Sequence, residues 1–145
     1  MDFFDVVEKR QSIRKYAAKP AEQDKLDAIL AATNRAPSAG NFQSFEIYVV
    51  RSEEGRAKLA AATFEQDFIA NAGVLLVFCT NASRCEYETA EICALEDATI
   101  ACTFAMLAAT ALGLSSCWIG ALDPKKVAQI VQCPNGVVPI SILTI

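Results

Sequence analysis

Apolar positions recur along the chain in helical and strand-like rhythms. Phe3, Val6 and Val7 share one helical face behind Asp2, a residue suited to cap a helix start, and predict a short helix over residues 2–9. Leu26, Ile29 and Leu30 form a second stripe, in a helix that Pro20 opens and that ends before Pro37. Residues 36–44 are a loop by composition. Phe45 to Val50 is a strand, and Ser52 caps an alanine-rich helix with Glu53 and Glu54 in its first turn. Val74 to Cys79 is a continuous apolar run, the pattern of a strand covered on both faces. Glu86 to Leu112 is a long helix, acidic at its start, apolar afterwards and ended by Gly113. A buried strand at Ser116–Ile119 follows, then Asp123-Pro124 starts a helix to about Val131. Val137 to Ile145 is the last strand, and Pro139 puts it at a sheet edge or leaves its early part outside the ladder. Helices come first and strands then mix with helices, which predicts an α+β, three-layer fold in a single domain, 1–145.

Composition sharpens this picture. The chain is 145 residues long, 53 % apolar and only 21 % charged. An ordinary globular chain is roughly 45–50 % apolar. The surplus calls for an apolar face buried against a second subunit. One uncharged and mostly apolar segment, Ala98 to Leu114, has 17 residues, short of the roughly 20 apolar residues that a membrane span needs. It reads as a central helix at a subunit interface. A net charge of −4 argues against a nucleic-acid partner. The chain has no histidine, which removes Ser-His-Asp and Cys-His catalysis and His-ligated metal. Its six cysteines form no C-x-x-C pair. Cys79, Cys102 and Cys117 lie in apolar runs, as free core cysteines do. Glu86, Glu88 and Glu91 near Cys85 and Cys93 disfavour thiolates, so no cysteine is expected to take part in catalysis. The acidic amino terminus lacks the apolar core of a signal peptide, and the expected setting is a reducing cytoplasm.

Neither a G-x-x-x-x-G-K-[ST] nor a G-x-G-x-x-G motif is present. An enzyme without these tools leaves the hard step to an organic cofactor. Three segments are candidates to hold one. In Arg10-Gln11-Ser12-Ile13-Arg14, an extended backbone brings Arg10, Ser12 and Arg14 to one side, two guanidinium forks and a hydroxyl suited to a phosphate. Alone, its plainer reading is a solvated basic stretch. In Ala36 to Gln43, Pro37 stiffens the turn, Gly40 permits unusual dihedrals, and Ser38, Asn41 and Gln43 offer donors and acceptors to a heterocycle's polar edge. Its plainer reading is a polar connection. In Gly113 to Gly120 the backbone leaves a buried strand at a glycine and can approach a ring closely. There Trp118 and Cys117 read as packing residues.

Taken together, the three segments resemble the FMN-dependent nitroreductase family. Its R-x-S-x-R opening is matched by Arg10, Ser12 and Arg14, and its A-P-S-A-x-N-x-Q loop by Ala36 to Gln43. Its long helix followed by L-G-L-x-x-C-W-I-G is matched by Leu112 to Gly120. The resemblance implies a mixed central sheet flanked by helices, with the long helix at the interface of a homodimer that holds FMN between its subunits. It implies that Arg10, Gln11, Ser12 and Arg14 hold the phosphate and ribityl chain. Pro37, Ser38, Ala39, Asn41 and Gln43 would reach the flavin from the partner subunit, and Ile119 and Gly120 would lie beside the ring. It further implies a ping-pong reaction in which NAD(P)H reduces FMN and a nitroaromatic, quinone or similar flat acceptor reoxidises it. Alternatives are a dehalogenating or flavin-fragmenting enzyme of the same fold, or a non-catalytic flavin-binding or redox-sensing module. The family motif continues Pro-Trp where this chain has Ser44-Phe45, which bears on the substrate side. The family also continues past its last strand into an arm with a basic phosphate contact, and this sequence stops before it, at Ile145.

Overall fold

The structure is a computed structural model that describes residues 1–64 and 66–145. Among these, five helices and four strands follow in the order α1 (Phe3–Lys9), α2 (Gln23–Thr33), β1 (Phe45–Val50), α3 (Glu53–Ala61), β2 (Leu75–Asn81), α4 (Ala90–Ala111), β3 (Cys117–Ile119), α5 (Pro124–Val131) and β4 (Val137–Thr144). Local chemistry sets most boundaries. The Asp2 carboxylate accepts from the Asp5 amide at 2.9 Å, and the Asp5 carboxylate accepts from the Asp2 amide, a reciprocal cap. Ser52 Oγ accepts from the Gly55 amide, and Asp123 from the Lys125 and Lys126 amides behind Pro124. α4 ends in a paired closure, Leu114 N–H to Ala109 O and Gly113 N–H to Thr110 O, with Gly113 at φ +74°.

Two helices start later than the sequence pattern predicts. α2 begins at Gln23 rather than Pro20 because residues 19–21 cross tightly over Gly73. A Cβ on that glycine would stand 2.5 Å from Lys19 O and 2.7 Å from the Ala21 nitrogen. α4 begins at Ala90 rather than Glu86. The preceding turn instead presents Tyr87 edge-on to Phe42, with ring centroids 5.3 Å apart.

The sheet order is β1-β2-β4-β3 and each strand pair is antiparallel. The parallel element of the expected mixed sheet is confined to an isolated bridge between Ser12 and Ser116. β4 lies inside the sheet, not at its edge. Pro139 is accommodated in two ways: β3 reaches only Ile142–Thr144, and the β2–β4 register shifts so that Phe78 faces Ser141 while Cys79 faces Pro139. The proline therefore sits at a bulge, where a missing N–H is tolerated.

Three layers result, as expected. One sheet face, with Leu76, Phe78 and Leu143, packs on α2 and α4 through Leu26, Ile29, Ala98, Ala101 and Ala105. Each large side chain buried there contributes about 1.5–3 kcal/mol, and the alanines let α4 approach closely. The opposite face, with Leu75, Val77 and Ile142, packs on α3 and α5 through Leu59 and Val127. α4 has the length and hydropathy of a membrane span, yet it lies along the sheet as a core helix.

Cys79, Cys102 and Cys117 are buried core residues. Burial pushes the Cys102 thiol from an ordinary value near 9 up to about 12. The raised value means that the folded chain holds this proton where the unfolded chain has lost it. The stabilisation is complete below pH 9 and is lost as pH climbs towards 12. Between pH 8 and 10.5, denaturant titration should show about 2 kcal/mol of loss from this group. Cys102→Ala should lose less over the same interval, and an equal loss in both proteins would remove Cys102 as the cause.

Candidate functional site

The basic segment is tied to the strand that leads to Ile119 and Gly120. Ile13 N–H donates to Ser116 O at 3.0 Å, beside the Ser12–Ser116 bridge. Behind it the Tyr16 hydroxyl donates to Ile13 O at 2.8 Å and lies 2.5 Å from Thr144 Oγ1, which accepts from the Cys117 amide at 3.1 Å. This chain of contacts fixes the segment to both β3 and β4, and burial pushes the Tyr16 hydroxyl up to about 12. Ile13 is half-buried while Ser12 and Arg14 are exposed, so the segment turns its polar side outward. Arg10 is half-buried and Gln11 exposed. Neither arginine has a side-chain hydrogen bond or ion pair among the described residues, so their donors are free for an anion. Ile119 is buried and Gly120 exposed, and a Cβ built on Gly120 would meet nothing within 4 Å. From Ser116 to Gly120 the strand rises on the order of 13 Å. An anion at the arginines and a flat group beside Gly120 are therefore within the reach of one extended molecule. Trp118 packs against the core, as expected.

The second group is the loop before β1. A short 3₁₀ turn at Ala39–Asn41 carries Gly40 at φ +56° and Asn41 at +57°, and Gln43 follows at +50°. Left-handed backbone costs roughly 1–2 kcal/mol for a side-chain-bearing residue, so this shape needs support. Ser38 Oγ accepts from the Gln43 amide at 3.0 Å. Asp97 Oδ1 accepts from the Ala39 amide at 2.9 Å and Oδ2 from the Ser44 amide at 3.1 Å. From the other side, Arg84 Nη1 donates to Gln43 O and Phe45 O, at 3.2 and 2.9 Å. A Cβ at Gly40 would collide with the Phe42 ring at 2.5 Å and the Tyr87 hydroxyl at 2.8 Å. With its backbone so occupied, the loop leaves the side chains of Asn41 and Gln43 exposed and without hydrogen-bond partners among the described residues, and Pro37 exposed beside them. These amides can address a polar ring edge.

Within one chain the two groups do not meet. The loop is held at Asp97, in the first half of α4, whereas Ser116 lies beyond that helix's end. Asp97 and Ala111 are roughly 20 Å apart along the axis. Asp97, Arg84 and Tyr87 are the residues that sequence reasoning missed. Asp97 carried a signal: with Ala94, Ala98, Ala101 and Ala105 it follows the buried stripe of an apolar helix, where a carboxylate must find partners. Cys79 and Cys133 lie elsewhere, their sulfurs 3.8 Å apart on the α5 side of the sheet.

Comparison with known proteins agrees with this reading of the fold. A Bacillus subtilis FMN reductase (NAD(P)H) is 30 % identical over 152 residues, covering 93 % of this chain and 61 % of that protein. The chain thus spans about three-fifths of that relative's length. A nitroreductase family protein from Clostridium novyi superposes with a TM-score of 0.92 at 26 % identity, over 99 % of this chain and 83 % of the other. An FMN-dependent nitroreductase from Clostridium difficile gives 0.88 at 28 % identity, over 98 % and 85 %. The model of the Nitroreductase family matches residues 7–66 and 61–145, and the chain belongs to the nitroreductase family.

Proposed function

We propose that the protein is an NAD(P)H-dependent flavin oxidoreductase that holds FMN between two copies of the chain and passes hydride in ping-pong order to a nitroaromatic, quinone or similar flat acceptor. The carrying observation is the stitching of the Arg10–Arg14 segment to Ser116, just before the strand that leads to Gly120. It sets two free guanidinium groups and an open glycine along one path. The residues fit the group. Arg10, Ser12 and Arg14, with Gln11 beside them, would hold the phosphate and the adjoining polyol, and a single basic cluster suits one phosphate. Ile119 and Gly120 would flank the ring. Pro37, Ser38, Ala39, Asn41 and Gln43 would reach it from the second chain, because their own chain holds them at Asp97 in the first half of α4, away from Ser116 beyond its end. When bound, FMN supplies the hydride transfer. The protein's part is to hold it, cover one face and leave the other open. A cytoplasmic setting, with reduced nicotinamide at hand, belongs to the same reading.

The relatives named as FMN reductase and FMN-dependent nitroreductase support this choice of cofactor. The purified chain should be yellow and release FMN, not FAD, on heating, as chromatography against both standards will tell. It should oxidise NADH or NADPH steadily when given a quinone or a nitroarene. A colourless protein that also fails to take up added FMN would sink the reading. A yellow protein without turnover would favour a flavin-binding module instead.

A further inference from the structure

We infer that Asp97 is the residue that positions the cofactor-facing loop: its two carboxylate oxygens hold the amides of Ala39 and Ser44 and thereby aim the side chains of Asn41 and Gln43. The inference rests on the flavin reading above. Asp97 is 1 % exposed, the one fully buried charged side chain among the described residues. A carboxylate does not stay in an apolar helix–sheet layer without fixed donors. Here the donors are two backbone amides, 58 and 53 residues away in sequence, on either side of the left-handed stretch. No cation neutralises Asp97 among the described residues, and the carboxylate is committed to the loop. Ser38 Oγ and Arg84 complete the hold on the loop backbone at Gln43 and Phe45. The side chains left free are the amides that would meet a ring edge. Asp97 touches no ligand itself; it acts through the loop.

Asp97→Asn tests this, because the amide keeps one acceptor and turns an N–H₂ towards the second loop amide. The chain carrying Asp97→Asn should exchange its Ala39 and Ser44 amide hydrogens at least about tenfold faster, while those of Leu76 and Phe78 in β2 keep their protection. Its FMN dissociation constant should rise about tenfold. In an Asn41→Ala/Gln43→Ala background the same substitution should add less than about threefold, since the groups it aims are gone. Should Asp97→Asn fail to fold, Ala39→Pro removes one of the two bonds from the other side. Ala39 is the first residue of its turn and Ser38 before it is extended, so proline is geometrically admissible there. It should loosen FMN in the same direction.

Unchanged loop exchange in Asp97→Asn would overturn the clamp. Faster exchange with unchanged FMN affinity would overturn the positioning role, as would an equal loss of affinity in both backgrounds, the mark of a merely structural residue. An unsubstituted chain that binds no FMN would overturn the flavin reading itself and the positioning role with it. An unsubstituted chain that binds FMN, with an Asp97→Asn chain that binds it equally well, overturns the positioning role alone.

Discussion

Replacing Arg10 and Arg14 together by alanine should leave a folded protein that no longer retains FMN through purification. Neither guanidinium group has a hydrogen bond or ion pair among the described residues, so their removal breaks none. Arg14 is exposed and Arg10 half-buried. The anchoring of the segment runs through Ile13, Tyr16, Ser116 and Thr144, none of which the substitution touches. The expected cost is therefore in binding and not in folding. A charge-assisted contact to a phosphate contributes about 1.5–3 kcal/mol, so each single variant should bind FMN roughly ten- to a hundredfold more weakly. The two residues share one anion and will not add strictly, but the double variant should lose at least about a hundredfold. Arg14→Lys should recover part of the loss, since an ammonium keeps the charge and forfeits the bidentate fork. Fluorescence titration of the flavin measures each affinity. If both single alanine variants bind FMN as tightly as the parent, the segment is a solvated basic stretch and the phosphate lies elsewhere.

The second large effect is expected far from those arginines. α1 and α4 both expose large apolar side chains: Phe3 is 64 % exposed, Phe4 80 %, Ile92 60 % and Leu95 50 %. Thr99 and Thr103 continue the α4 face, which carries one charge, the exposed Glu96. A monomer rarely leaves such a face to water. If a second copy covers it, Ile92→Glu/Leu95→Glu places two carboxylates in each half of a two-fold interface, and each burial without a partner costs several kcal/mol. Far-UV circular dichroism should stay the same, because Ile92 and Leu95 lie outside both core clusters. Sedimentation should change from dimer to monomer. FMN affinity should fall at least about a hundredfold although Arg10, Ser12 and Arg14 are intact, because the Asn41–Gln43 loop of the second chain leaves with it. A stable monomer that keeps its FMN would show that one chain suffices, and a dimer that survives both charges would show that another face pairs.

What could be read from the chain alone was what neighbours in sequence decide. Asp2, Ser52 and Asp123 cap helices through amides two or three residues away, and Gly113 ends α4 through carbonyls within five residues. Strand Val74–Cys79 was legible because a run without polar positions has to be covered on both faces, and it is. The three candidate segments stood out by their chemistry, since guanidinium groups, amides and a glycine are properties of residues and not of their surroundings.

Tertiary structure alone decided the rest. Pro139 argues for an edge strand by its missing N–H, yet β4 runs inside the sheet, because β3 is too short to reach the proline and β2 shifts register beside it. Pro20 argues for a helix start, but its stretch is spent on the close crossing over Gly73. Asp97 looks like one more acid at the head of an apolar helix. Its work became visible only when the fold brought it to amides more than fifty residues earlier in the chain. The two candidate groups lie apart: one is held at Asp97, in the first half of α4, and the other beyond that helix's end. Local bonding reaches a few residues and leaves its mark in composition and spacing. Pairings between distant segments depend on how the layers stack, and no local pattern carries that information.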